Sequence, residues 1–124
     1  MRDCSFDGGR TDFTSWSRGL FRDAYRDRSP IAGSVALTHR CNLRCIHCYL
    51  QQSRDVPELE TEAWLGIIDQ LEEAGCLWLM LTGGEPLLRD DFADIYQHAR
   101  RRGFLVSVFT NGTLIDDDVL ELFS

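Results

Sequence analysis

There is no lysine among these 124 residues; all thirteen basic side chains are arginine. Schiff-base chemistry and a lysine general base are thereby excluded, because both need an amine that can give up its proton. Long apolar runs are missing too. No stretch reaches the ~20 residues of a membrane-spanning helix, and the residues after Met1 hold no apolar core of a secretory leader. Basic charge is in deficit: the net charge is −7, which argues against nucleic acid or an anionic membrane surface as a partner. The deficit is uneven. Residues 1–31 carry six Arg against five Asp, and the remainder carries seven Arg against fifteen acids.

With 44% hydrophobic residues, the chain has enough apolar side chains to build the core of one modest domain. Five cysteines is an odd number, and three of them crowd one short run, which suits metal binding or catalysis in a reducing cytoplasm better than a disulfide framework.

Residues 1–10 read as a loose tail. From Asp12 to about Arg28, apolar residues recur at Phe13, Trp16, Leu20, Ala24 and Tyr25, the spacing of an amphipathic helix, with Thr11 or Asp12 as its cap and Ser29-Pro30 as its break. A packing role is expected of this helix, so residues 1–32 form an N-terminal tail and amphipathic helix. Gly33–Thr38 reads as a short strand running into a loop that lasts to Pro57. A helix follows over Thr61–Ala74, with Trp64, Ile67, Ile68 and Leu71 as its stripe and Gly75 as its stop.

Leu77–Leu81 is apolar at every position, as a strand buried on both faces requires. It leads into Thr82-Gly83-Gly84-Glu85-Pro86. Asp90 and Asp91 open another helix, with Phe92, Ile95, Tyr96 and Ala99 inward and Arg100, Arg101 and Arg102 at its end. Phe104–Phe109 reads as a third strand, Thr110-Asn111-Gly112 as a turn, and Leu114–Phe123 as a last helix. Strand and helix alternate three times, the α/β pattern of a parallel sheet with right-handed crossovers. In such folds the loops after the strands converge on one edge, where ligands bind.

The first of these loops contains Cys41, Cys45 and Cys48 in C-x3-C-x2-C spacing, with no fourth cysteine close by. Three soft thiolates on one short loop can hold a metal centre and leave one coordination position open. This motif resembles the C-x3-C-x-φ-C signature of the radical S-adenosylmethionine (radical SAM) superfamily, with His47 at the usually aromatic position. Gly83-Gly84-Glu85-Pro86 resembles the GGEP loop of that family. The Cys-Asn-Leu-Arg-Cys start and Thr-Asn-Gly resemble the peptide- and cofactor-maturing branch that often carries a C-terminal SPASM domain. The resemblance covers residues 33–124.

The resemblance implies the N-terminal half of a partial (β/α)6 TIM-like barrel, of which residues 33–124 are the first three βα units. It implies a 4Fe-4S cluster ligated by Cys41, Cys45 and Cys48, with SAM on the open iron. Gly83, Gly84, Glu85 and Pro86 would lie against SAM, His47 near adenine with Tyr49 as an alternative, and Asn111 within reach. The implied chemistry is reductive cleavage of SAM to a 5′-deoxyadenosyl radical that takes hydrogen from a peptide or small cofactor precursor. A flavodoxin or ferredoxin would serve as reductant. No residue of this chain is assigned as catalytic, since the cofactors carry the hard chemistry.

Other readings compete residue by residue. The cysteines with His39 or His47 suit zinc, so a non-catalytic zinc or iron–sulfur module is the alternative. Gly83-Gly84 alone reads as a tight turn, Glu85 as a residue holding its loop, and Asn111 as a left-handed turn residue before Gly112. Cys76 reads as a small core residue, Cys4 has no role, and Asp116–Asp118 read as the acidic start of the last helix. Family enzymes build about six βα units, so the chain is expected to be a fragment, inactive by itself, with an apolar third-strand edge exposed to aggregation.

Overall fold

The computed structural model describes residues 12–50 and 56–124; the expected loose tail and Cys4 lie outside the described residues. The elements are α1 (Phe13–Asp27), β1 (Ala32–Thr38), α2 (Thr61–Glu73), β2 (Trp78–Gly83), a 3-10 turn (Pro86–Leu88), α3 (Phe92–Arg101), β3 (Leu105–Val108) and α4 (Asp117–Phe123). The three strands form one parallel sheet in the order β1-β2-β3. Among the described residues no helix is long and apolar enough to cross a membrane.

Strand side chains alternate between faces, and the register shows what each face holds. Val35, Leu81 and Val108 lie abreast, as do Gly33, Leu79 and Val106. This face meets α2 and α3, and the core forms there from Leu37, Leu79, Leu81, Trp64, Ile68, Ile95 and Ala99. Full burial of each such aliphatic side chain stabilises by about 1.5–3 kcal/mol. Phe92, Tyr96 and Phe123 extend it toward α4 as a ring cluster with centroids 5.2–6.4 Å apart.

The second face carries Ala32, Trp78 and Leu105 in one row and Ser34, Met80 and Ser107 in the next. Trp78 is 38% exposed and Leu105 57%. The all-apolar β2 run is therefore covered on one face only among the described residues. That one-sided sheet is the arrangement of a barrel wall, whose second face looks into the barrel interior.

Helix ends follow local chemistry. The Asp12 carboxylate accepts from Ser15 N at 3.1 Å and starts α1. Gly75 and Gly103, the expected stops of α2 and α3, both take φ of +89°. The last helix starts later than its apolar spacing suggests. Asp116 accepts from Val119 N at 2.9 Å, so it caps α4 and leaves Leu114 and Ile115 in the preceding turn. Asp69 ties α2 to α3, meeting His98 Nε2 at 2.6 Å and Arg102 Nε at 2.7 Å. His98 first, and then Arg102, hold its carboxyl below the usual range.

One expectation is corrected. α1 buries none of its residues among the described part of the chain; Phe13 is 75% exposed and Tyr25 89%. Its apolar stripe forms a helix but does not join this core.

Candidate functional site

Three loops leave the C-terminal ends of β1, β2 and β3, and the structure joins them. The joint begins in the backbone. Gly84 N donates to Thr38 O at 2.8 Å and Glu85 N to Arg40 O at 2.8 Å, which continues the β1–β2 pairing past the strands into the cysteine loop. A Cβ on Gly83 would stand 2.3 Å from Thr38 O, and one on Gly84 would stand 2.2 Å from Arg40 O. Both distances are far inside contact, so only glycine lets these backbones meet. The missing Cβ atoms of the Gly-Gly pair are thus filled by the protein's own chain at Thr38–Arg40, a second reason for glycine beside the ligand approach its motif suggests. Gly83 also takes φ +145°, which a side chain would resist.

Glu85 is fully buried. Its carboxylate accepts from Leu87 N at 3.0 Å, Thr110 Oγ1 at 2.8 Å and Asn111 N at 2.7 Å. The first bond caps the 3-10 turn that the buried Pro86 begins; the other two hold the Thr-Asn-Gly loop against the Gly-Gly-Glu-Pro loop. Of the two roles considered for Glu85, holding its loop is the one these bonds show.

Asn111 carries the connection on to the cysteines. Its Nδ2 donates to Asn42 Oδ1 at 2.8 Å and points at Cys41 Sγ at 3.9 Å. Its Oδ1 accepts from Thr113 N at 2.9 Å and Thr113 Oγ1 at 2.6 Å, and Asn42 Nδ2 donates to Thr113 Oγ1 at 2.8 Å. The left-handed turn conformation belongs to Gly112, at φ +79°, and not to Asn111. Asn111 instead forms an Asx turn, leaving its amide group free to brace the first loop.

Cys41 and Cys48 are half-buried and Cys45 is exposed. A turn closes between the last two, with Cys48 N donating to Cys45 O at 3.1 Å. Among the described residues no three ligating side chains are gathered into one metal-holding group. The donor set nevertheless fits an iron–sulfur cluster: all three cysteines are unbridged and lie on one accessible segment, and Cys41 Sγ already accepts from Leu43 N at 3.4 Å, as a thiolate ligand does. His47 and Tyr49 are exposed on this loop. Cys76 is buried, as expected of a core residue, and burial pushes its thiol up.

A polar cluster missed in the sequence lies behind the loop. Arg89, 8% exposed, donates to Leu37 O, Glu58 and Leu59 O, and forms a fork on Asp91 at 2.7 and 2.8 Å. Thr61 Oγ1 donates to the same Asp91 at 2.6 Å. Arg89 first, and then Thr61, hold the Asp91 carboxyl below its ordinary range against the opposing effect of burial. Burial pushes the Glu58 carboxyl up, but Arg40, Thr38 and Arg89 together outweigh it and hold it low. The only sequence signal was a lone arginine directly after Pro86-Leu-Leu. The broad groove between α3 and α4, lined by Leu87, Phe92, Tyr96, Arg100 and Leu122, includes none of the three cysteines, Glu85 or Asn111.

The chain matches the Radical SAM superfamily over residues 35–124. It is 38% identical over 97 residues to Fe-coproporphyrin III synthase of Methanosarcina barkeri, covering 76% of this chain and 24% of that protein. It is 37% identical over 94 residues to the PqqA peptide cyclase of Granulibacter bethesdensis, covering 74% and 25%. It is 36% identical over 94 residues to the antilisterial bacteriocin subtilosin biosynthesis protein AlbA of Bacillus subtilis, covering 75% and 21%. The chain thus spans about a quarter of the length of these relatives. In fold it is similar to Streptococcus suis SuiB bound to S-adenosylmethionine, at TM-score 0.70 and 21% identity over 87% of this chain and 26% of that one. The matched span takes in all three loops with the bonds that join them, and the chain belongs to the radical SAM superfamily.

Proposed function

We propose that this chain is the cluster- and SAM-holding part of an enzyme that modifies a peptide or a small cofactor precursor by radical chemistry. Cys41, Cys45 and Cys48 would ligate the 4Fe-4S cluster, drawing together as it binds. Gly83, Gly84, Glu85 and Pro86, with His47 and Asn111, would hold SAM, and a flavodoxin or ferredoxin would serve as reductant. When bound, cluster and SAM supply reductive cleavage of SAM and a 5′-deoxyadenosyl radical for hydrogen abstraction.

The residues of this chain hold and orient. Leu43 N–H and the Asn111 amide face Cys41 Sγ and would steady that sulfur as a cluster ligand. Glu85 keeps the second and third loops in register, so a ligand across them meets a preset wall. The observation that supports the reading is the path of hydrogen bonds from Glu85 through Asn111 to Cys41, which holds the start of the thiol loop beside the Gly-Gly-Glu-Pro loop. The peptide or precursor class is supported by the named relatives, a peptide cyclase and a porphyrin synthase among them.

The test is the electron paramagnetic resonance spectrum of the chain after anaerobic reconstitution with iron and sulfide and reduction by dithionite. A spectrum that changes on adding SAM is expected. An unchanged spectrum points to a cluster carrier, and zinc near one per chain with no iron uptake removes both iron readings.

A further inference from the structure

The cysteine-bearing segment follows Thr38 at the end of β1, and Glu58 stands just ahead of α2. The two residues are bonded directly, Thr38 Oγ1 donating to Glu58. Arg40 adds Nε to one Glu58 oxygen at 3.0 Å and a terminal nitrogen to the other at 3.3 Å. Arg89 donates to Glu58 at 3.3 Å, to Leu37 O at 3.1 Å and to Leu59 O at 3.0 Å. One carboxylate thus receives donors from the outgoing strand, from the residue next to Cys41, and from the loop after β2. The backbone of Arg40 is fixed as well: its N–H donates to Thr38 Oγ1 at 3.0 Å and its carbonyl accepts from Glu85 N at 2.8 Å.

The ordinary role for an acid just before a helix is to cap it. Glu58 does not do this; Glu60 holds the cap position of α2 without a capping side-chain bond, and the Glu58 oxygens turn back to Thr38, Arg40 and Arg89. An acceptor-only group suits three donor residues, whereas an amide would turn one NH2 group against a guanidinium.

We infer that Glu58 is a positioning residue that closes the neck of the cysteine-bearing loop, with Arg40 and Arg89 as the cations that hold it there. Tying the ends of a long loop together removes part of the entropy that gathering three thiols on it would otherwise cost. The neck is independent of any ligand; its consequence for a cluster rests on the function proposed above.

Glu58→Gln preserves the size of the side chain and removes its charge. Arg40→Gln, at a side chain 54% exposed, removes one donor without touching the core and serves if the first variant folds poorly. Hydrogen exchange of the full chain is read by mass spectrometry. Amides of residues 39–50 are expected to exchange about tenfold faster in Glu58→Gln and about threefold faster in Arg40→Gln, with β2 and α3 at parental rates. After anaerobic reconstitution, iron loss to a ferrous chelator is expected about tenfold faster in Glu58→Gln. Unchanged exchange over 39–50, or faster exchange spread through β2 and α3, overturns the neck. Faster loop exchange with unchanged iron loss overturns the positioning role. Failure of the parent chain to take up iron overturns the cluster reading alone, and the exchange result still decides the neck.

Discussion

Replacing Glu85 by Gln should loosen the joint between the second and third loops by a predictable amount. Three groups donate to this buried carboxylate: Leu87 N, Thr110 Oγ1 and Asn111 N. The Thr110 oxygen already accepts from Gly112 N at 3.0 Å, so its hydroxyl proton is free to point at Glu85. Glutamine has the same shape but offers one oxygen where Glu85 offers two. Its NH2 must then face either Asn111 N–H or Leu87 N–H, setting donor against donor in a fully buried place. One charge-assisted bond is lost, at about 1.5–3 kcal/mol, and a buried donor is stranded, at about 1–3 kcal/mol. Allowing for partial relaxation, we expect a loss of about 2–4 kcal/mol. For a domain of this size that lowers Tm by roughly 8–15 °C, readable by circular dichroism. Thr110→Val in the Glu85→Gln background should cost less than Thr110→Val alone, because the two share a bond. A Tm change under about 2 °C for Glu85→Gln, or strict additivity of the pair, would refute the account of Glu85 as the joint.

Gly84→Ala would press a methyl group 2.2 Å from Arg40 O and 2.9 Å from His39 O; it should cost about 3 kcal/mol or more, whereas Gly66→Ala, mid-helix with nothing within 4 Å, should add about 0.5–1 kcal/mol, both read from urea midpoints. Asp91 is held below its ordinary pKa by Arg89, so its contribution is complete above the unfolded carboxyl value and lost as pH falls through the lower folded one; Asp91→Asn should flatten the acid limb of a stability–pH curve below about pH 4, and an unaltered limb would contradict the pairing. Cys76, buried with its thiol pushed up, should resist iodoacetamide in the folded chain and react in urea, while the exposed Cys45 reacts in both.

The apolar spacing of residues 61–71 and 92–99 specified α2 and α3 together with the faces they bury, because helix period and burial are properties of neighbours in sequence. Strand positions were legible within a residue or two, and with them the prediction that the cysteine, Gly-Gly-Glu-Pro and Thr-Asn-Gly loops share one edge. Periodicity set the start of α4 too early, at Leu114, whereas the acidic run Asp116–Asp118 marked it, because the Asp116 side chain caps the helix. The exposure of α1 was not legible, since an amphipathic stripe tells that a helix has a face and not what covers it.

By itself, the sequence determined the order of strands and helices, the thiol spacing and the loops that bear the chemistry. All of these rest on local pattern. Tertiary structure decided that Gly83 and Gly84 make room for the Thr38–Arg40 backbone, that Glu85 lies buried between two loops, and that Glu58 and Arg89 close the cysteine segment at its base. Those pairings join residues 25, 31 and 52 positions apart, where no period in the chain records a partner. They exist only because the parallel sheet brings the ends of its three strands to the same edge.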